Sequence, residues 1–150
     1  MKIIAIDPGN SGGIAWINDN TEGCCNMPET EGDIVAKINE LVAMGCTTCY
    51  MEEVGGYTGG MGAPGSAMFN FGRNFGFLLG VLAARGVRLE LVRPQKWQKE
   101  FSLGTVKSSG GKGPWKRKLK EKAQQLYPHL TVTLKTADAL LILKYATCQL

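Results

Sequence analysis

The chain has one histidine, His129, in 150 residues, and that scarcity sets most imidazole-based catalysis aside. Long apolar runs are missing too. The longest apolar region, Phe75 to Ala84, is broken by Gly76 and Gly80, which argues against a membrane span. The first residues, MKIIAI, lead straight into a strand pattern without a signal peptide's cleavage site, so a cytoplasmic location is expected. Cysteines are few and irregular: Cys24, Cys25, Cys46, Cys49 and Cys148 are odd in number and lack the spacing of a disulfide framework. Cys46 and Cys49 form a lone CxxC, whereas a tetrahedral zinc site takes four Cys or His ligands. The thiols therefore read as reduced groups near a helix–strand junction. No internal repeat and no domain boundary is evident, so residues 1–150 read as one domain, too short for two large lobes.

What is present is an uneven distribution of charge. Between Arg93 and Lys122 lie ten basic residues and two acidic ones, leaving seven basic and eleven acidic elsewhere. A segment of +8 on a body of −4 suits a polyanion-binding surface, although a charge run by itself equally describes a solvated helix face.

Periodicity supplies the elements. Residues 2–7 and 13–18 read as strands paired across the glycine-rich turn PGNSGG, with a third short strand near 22–27. Thr30 and Asp33 stand at capping spacing before Ile34, Ile38, Leu41 and Val42, and Gly45 is a natural helix stop. Residues 49–54 form a strand that ends in carboxylates. A glycine-rich loop, GGYTGGMGAPG, leads to a helix over 67–85. There Gly72, Gly76 and Gly80 recur every fourth residue, a stripe that allows close approach of the sheet or of a second subunit. A strand over 87–92 precedes a short helix opened by Pro94. Residues 102–114 read as a flexible segment, followed by a helix over 115–127 that Pro128 ends. A short strand around 130–134 and a last helix, capped by Thr136 and carrying Asp138 in its first turn, complete the chain. Early antiparallel strands followed by strand–helix alternation indicate an α/β domain with a mixed sheet.

Three carboxylates stand out. Asp7 ends the apolar first strand, Glu52 ends another, and Asp138 lies in the apolar run TADALLIL. Alternation along the strand turns Glu53 to the face opposite Glu52. Each alone could be a turn residue, a surface charge or a helix-terminal acid favoured by the dipole. Together they would repel one another unless a cation is shared. Hard oxygen ligands without histidine select Mg2+ or Mn2+, and two such ions can activate a water and stabilise the leaving oxygen in phosphodiester cleavage.

The ordered set IDPGNSGGIAW, YMEEV, FNFGRNFGFLLGVLAARGV, LVRPQKWQKEF and ADALLIL resembles the RuvC-type Holliday junction resolvases, closest to the small forms encoded by phages. The resemblance implies a ribonuclease-H-like fold: a mixed five-stranded sheet, three antiparallel strands then strand/helix alternation, flanked by helices. It also implies a homodimer in the cytoplasm of a host cell, and Mg2+-dependent paired nicking of a four-way DNA junction by water. Asp7, Glu52 and Asp138 take the catalytic and metal-binding roles, with Glu53 as a further possible ligand and two Mg2+ ions per site. One departure concerns the fourth acidic position of cellular members, three residues before the last catalytic Asp, where this chain has Lys135. Residues expected on DNA are Tyr57, Arg73, Lys96, Lys107, Lys112, Lys116, Arg117 and Lys120. Lys112 or Lys116 is a candidate for neutralising the scissile phosphate, and Tyr57 and Met61 for stacking in the junction.

Three rivals remain open at this stage. One is a nuclease of the same fold acting on RNA–DNA hybrids or flaps. Another is a phosphotransferase, suggested by DPGNSGG, whose usual two lobes would not fit in this length. The third is a non-catalytic junction-binding protein, suggested by Lys135.

Overall fold

The computed structural model describes residues 1–55 and 65–150. Its elements run β1 (Lys2–Asp7), β2 (Gly13–Asn18), β3 (Thr21–Asn26), α1 (Glu31–Ala43), β4 (Thr48–Glu52), α2 (Gly65–Ala84), β5 (Arg88–Val92), α3 (Pro94–Lys99), α4 (Lys112–Leu126) and α5 (Ala137–Cys148). The five strands form one mixed sheet in the order β3-β2-β1-β4-β5. β1–β2 and β2–β3 are antiparallel, and β1–β4 and β4–β5 are parallel. The expected mixed five-stranded sheet with flanking helices is present.

Side-chain alternation divides the core between the two faces of the sheet. Ile4, Ile6, Ile14, Cys49 and Met51 pack on one face with α1 (Ile34, Ile38, Leu41) and α2 (Leu78, Leu82). Ile3, Ala5 and Ala15 pack on the other with α5, together with Trp97 of α3 and Trp115, Leu119 and Ala123 of α4. α5 is apolar around most of its circumference because it lies between the sheet and these helices, and nine of its twelve residues are buried. Such a helix is a central element rather than an amphipathic surface one.

Helix ends follow the chemistry of their residues. Thr30 caps α1 by accepting from the backbone N–H of Asp33. Gly45, with φ +94°, closes α1 through bonds from its own N–H to Val42 and from Cys46 N–H to Leu41. That left-handed closing residue is the position glycine fills without steric cost.

Several expectations are corrected. Residues 130–134 form no strand; Gln124 instead bonds the carbonyls of Tyr127 and Leu130 and the N–H of Val132, so a side chain takes the place of a ladder. Residues 102–114 are not a featureless linker. Thr105 and Ser108 exchange hydrogen bonds in a turn, and α4 already begins at Lys112. Thr136 sits at the N-cap of α5, but its hydroxyl accepts from Thr133 N–H instead of from the helix. The glycine stripe does not meet the sheet. A Cβ built on Gly72, Gly76 or Gly80 meets nothing within 4 Å, because the helix lies on the sheet through Leu78 and Leu82 and turns the glycines outward. All five cysteines are free thiols. Among the described residues, no helix is long and apolar enough to cross a membrane.

Candidate active site

Strand parity and register assemble the site. Asp7 follows Ile3 and Ala5, and Glu52 follows Tyr50, so both emerge on the face covered by α5. The last pair of the β1–β4 register is Ile6 with Met51, and one further step along these strands brings Asp7 and Glu52 side by side. The third carboxylate comes from above, in the first turn of α5.

Gly13 makes that approach possible. It pairs with Asp7 across the β1–β2 ladder, and a Cβ there would lie 2.5 Å from the carbonyl oxygen of Lys135 and 3.2 Å from Cα of Thr136. The loop entering α5 therefore closes directly onto the strand because this position has no side chain. The turn after Asp7 is held from the other side: Gly9, with φ +101°, donates its N–H to Asn74 of α2 at 2.7 Å, and Phe71 fills the space where a Cβ would stand.

Asp7, Glu52 and Asp138 line one cavity of about 520 Å3, together with Lys116 and Phe71. Lys116 Nζ bonds Asp138 Oδ2 at 2.5 Å; the lysine side chain is 48% exposed and that of Asp138 7%. About half of the lysine side chain stays accessible while its ammonium sits against the carboxylates. Trp97, fully buried, donates its indole N–H to Glu52 Oε2 at 2.9 Å.

The electrostatics follow from this crowding. Burial, then the charges of Asp138 and Glu52, hold the Asp7 carboxyl well above the usual range, with Lys116 opposing. Burial pushes Glu52 up to about 7; the Trp97 hydrogen bond opposes the rise, Asp138 adds to it and Lys116 lowers it. For Lys116, burial works against the charge, but the three carboxylates, Asp138 foremost, outweigh it and raise its pKa. Asp138 Oδ1 is buried without a hydrogen-bond partner among the described residues.

These features fit a hard cation: three anionic oxygen donors, two of them reluctant to ionise without a compensating charge, and one orphaned buried oxygen. As they stand, no three Asp, Glu, His or Cys side chains among the described residues are drawn in tightly enough to hold an ion, and Lys116 provides the compensating charge. Glu53, a possible further ligand, is instead paired with Arg93 at 3.1 Å on the outer face.

The expected DNA-binding residues fall into groups. Lys112, Lys116 and Lys120 stand at successive i, i+4 positions of α4 and share one side of it, with Arg117 exposed beside them. Lys96 on α3 and Lys107 in the Thr105–Ser108 turn are also exposed. Arg73 pairs with Glu31 at 2.8 Å and lines a second cavity of about 460 Å3, which shares Asn10 and Asn70 with the first. Lys135 is exposed and lines a third cavity with Asn10 and Asn26. It is absent from the charges acting on Asp7 and Glu52. Tyr57 and Met61 lie outside the described residues. Met68 and Phe69, at the start of α2, are 43% and 70% exposed. Sequence reading missed Gly13, Asn74, Phe69 and Trp97. Only Trp97 carried a usable signal, as a lone large apolar residue in the polar helix PQKWQK.

Comparison with solved structures places this architecture. The structure of Thermus thermophilus RuvC in complex with a Holliday junction substrate aligns with a TM-score of 0.61 at 15% identity, covering 95% of this chain and 89% of that one. The fold is that of RuvC. A second Thermus thermophilus RuvC structure aligns at 0.59 and 14% identity, over 95% of this chain and 90% of the other. No protein-family model and no curated protein matches the sequence. The likeness to RuvC therefore lies in the three-dimensional arrangement, with the same ribonuclease-H-like sheet and flanking helices along nearly the whole chain.

Proposed function

We propose that this chain is a structure-specific endonuclease that nicks four-way DNA junctions in pairs, with Asp7, Glu52 and Asp138 as its catalytic carboxylates. The observation that carries this reading is the convergence of the three on one cavity wall of a RuvC-like fold, beside the ammonium of Lys116. Branched DNA as substrate is suggested by the RuvC neighbour, whose structure is a complex with a Holliday junction substrate.

Asp7, Glu52 and Asp138 would hold two Mg2+ ions, with Mn2+ able to substitute. The ions would supply charge neutralisation at phosphate and an activated water as nucleophile. The chain's own groups do the rest. Burial of the three carboxylates strengthens the charge interactions among them and Lys116. Lys116 neutralises the carboxylates in the free protein. Its ammonium can turn to a phosphate oxygen, because about half of the side chain is exposed. From Lys116 the row continues to Lys112 and Lys120, which would bind successive phosphates and add affinity without sequence information. Phe69 stands exposed in the first turns of α2, placed to stack on an unpaired base.

Paired nicks require two sites, which a two-fold dimer provides most simply. The outward face of α2, with Gly72, Gly76 and Gly80 open to approach, supports packing of two such helices.

The test compares a synthetic four-way junction, a linear duplex and an RNA–DNA hybrid, with MgCl2 or EDTA. Junction cutting is expected only with metal, and Asp7→Asn should slow it at least about 100-fold. Junction binding without cutting would make the chain a binding protein, with Lys135 the first residue to examine. Cutting of the hybrid alone would keep the site and remove the substrate.

A further inference from the structure

Each of the three carboxylates is held differently. Asp138 Oδ2 is bound by the ammonium of Lys116, and its Oδ1 has no partner among the described residues. Asp7 has no side-chain hydrogen bond among the described residues. Glu52 alone is fixed by a neutral donor, the indole N–H of Trp97. The difference matters when a divalent cation enters. Lys116 carries like charge and competes with the cation for the same oxygens, whereas an uncharged N–H does not.

Trp97 is also built to stay in place. It is fully buried in the core beneath α5 and meets Phe101 edge-to-face at 6.5 Å. Its helix α3 starts on Pro94, whose ring fixes the first turn. The segment just before α3 is tied to the end of β4 twice, by the Arg93–Glu53 ion pair and by Glu53 N–H bonding the carbonyl of Val92. A buried indole needs a partner for its N–H, and the one available is a site carboxylate 45 residues away in sequence.

We infer that Trp97 is a positioning residue for Glu52: it fixes Oε2, so that Oε1 is the oxygen offered to a divalent cation, an inference that rests on the nuclease reading above. Outer-shell partners of metal-ligating carboxylates orient the ligand and tune its affinity. Trp97 would do this for the one site carboxylate that is held by a neutral donor.

The test uses the full chain labelled with 15N and MgCl2 alone, without DNA. Three indole N–H signals are expected, from Trp16, Trp97 and Trp115, and Trp97→Phe assigns the middle one by its disappearance. Mg2+ should shift the Trp97 signal saturably and the other two far less, and Glu52→Gln should abolish that response. By calorimetry, Trp97→Phe should weaken Mg2+ binding about 10- to 100-fold, a change that a purely structural role would not produce in a folded variant. If Trp97→Phe does not fold, Trp16→Phe and Trp115→Phe assign the Trp97 signal by elimination, and the wild-type and Glu52→Gln spectra still decide the matter. A Trp97 signal unmoved at saturating Mg2+, or a folded Trp97→Phe with the wild-type Mg2+ affinity, overturns the inference. Junction cleavage is assayed separately. A saturable Trp97 shift in a chain that never cuts junctions leaves the positioning role standing and removes the nuclease reading.

Discussion

Asp7 and Glu52 are the residues whose environment departs furthest from that of ordinary carboxylates, and this has a consequence for stability. Both have folded-state pKa values raised above their unfolded ones, Glu52 to about 7. Between about pH 4.5 and pH 7 the folded chain therefore binds more protons than the unfolded chain, so the unfolding free energy falls as pH rises through that window. Lys116 keeps its proton throughout it and does not contribute to the slope. For Glu52 the loss is about 2 kcal/mol once its partial exposure is allowed for. Thermal melts in EDTA should thus show lower stability at pH 8 than at pH 5. Glu52→Gln, which keeps a carbonyl acceptor for Trp97, should flatten the dependence and melt higher than wild type at pH 8. A wild type that gains stability over this interval would show that the carboxylates are not crowded as described. At this scale much of the site was legible. Asp7, Glu52 and Asp138 each stand in an apolar context where a charge demands a reason. Gly13 and Asn74 were not, because their roles are defined by the Lys135 carbonyl and the Gly9 N–H, contacts that spacing along the chain does not encode.

Among the elements, α2 and α4 carry the largest differences between pattern and structure. Sequence periodicity located α2, but which neighbour its glycines face depends on how the helix rolls on the sheet. Leu78 and Leu82 take the inward side, and Gly72, Gly76 and Gly80 face out. Two substitutions at Gly76 separate stability from association. Gly76→Ala should stabilise the monomer by about 1 kcal/mol, because open space surrounds the new methyl group and helix propensity improves. Gly76→Arg should convert a dimer to a monomer in sedimentation or light scattering while leaving the fold intact. An unchanged oligomeric state in Gly76→Arg would remove α2 as the dimer surface. α4 begins earlier than its apolar pattern suggests, because Gly110 and Gly111 take positive φ values that let the turn at Thr105–Ser108 run directly into the helix. That extra turn places Lys112 in line with Lys116 and Lys120. The strand expected at 130–134 failed for a related reason: β-like composition there is overridden by Gln124, which satisfies the backbone groups a strand partner would have taken.

Over the molecule as a whole, fold and charge distribution point the same way. The fold aligns with that of RuvC over 95% of the chain despite 14–15% identity. Such identity leaves the side chains almost entirely free to change, while strand parity and helix placement keep the architecture. The basic segment from Arg93 to Lys122 folds into α3, α4 and the turn between them, so a charge asymmetry visible in the sequence becomes one side of the molecule, with the carboxylate cavity at its border. The most direct test maps the cuts on a four-way junction labelled in turn on each of its strands, with MgCl2. Nicks at symmetry-related positions on two opposing strands, absent in EDTA and on a linear duplex of the same sequence, are the expected result. Cuts that fall equally on the linear duplex, or that persist in EDTA, would contradict a metal-dependent junction-resolving nuclease.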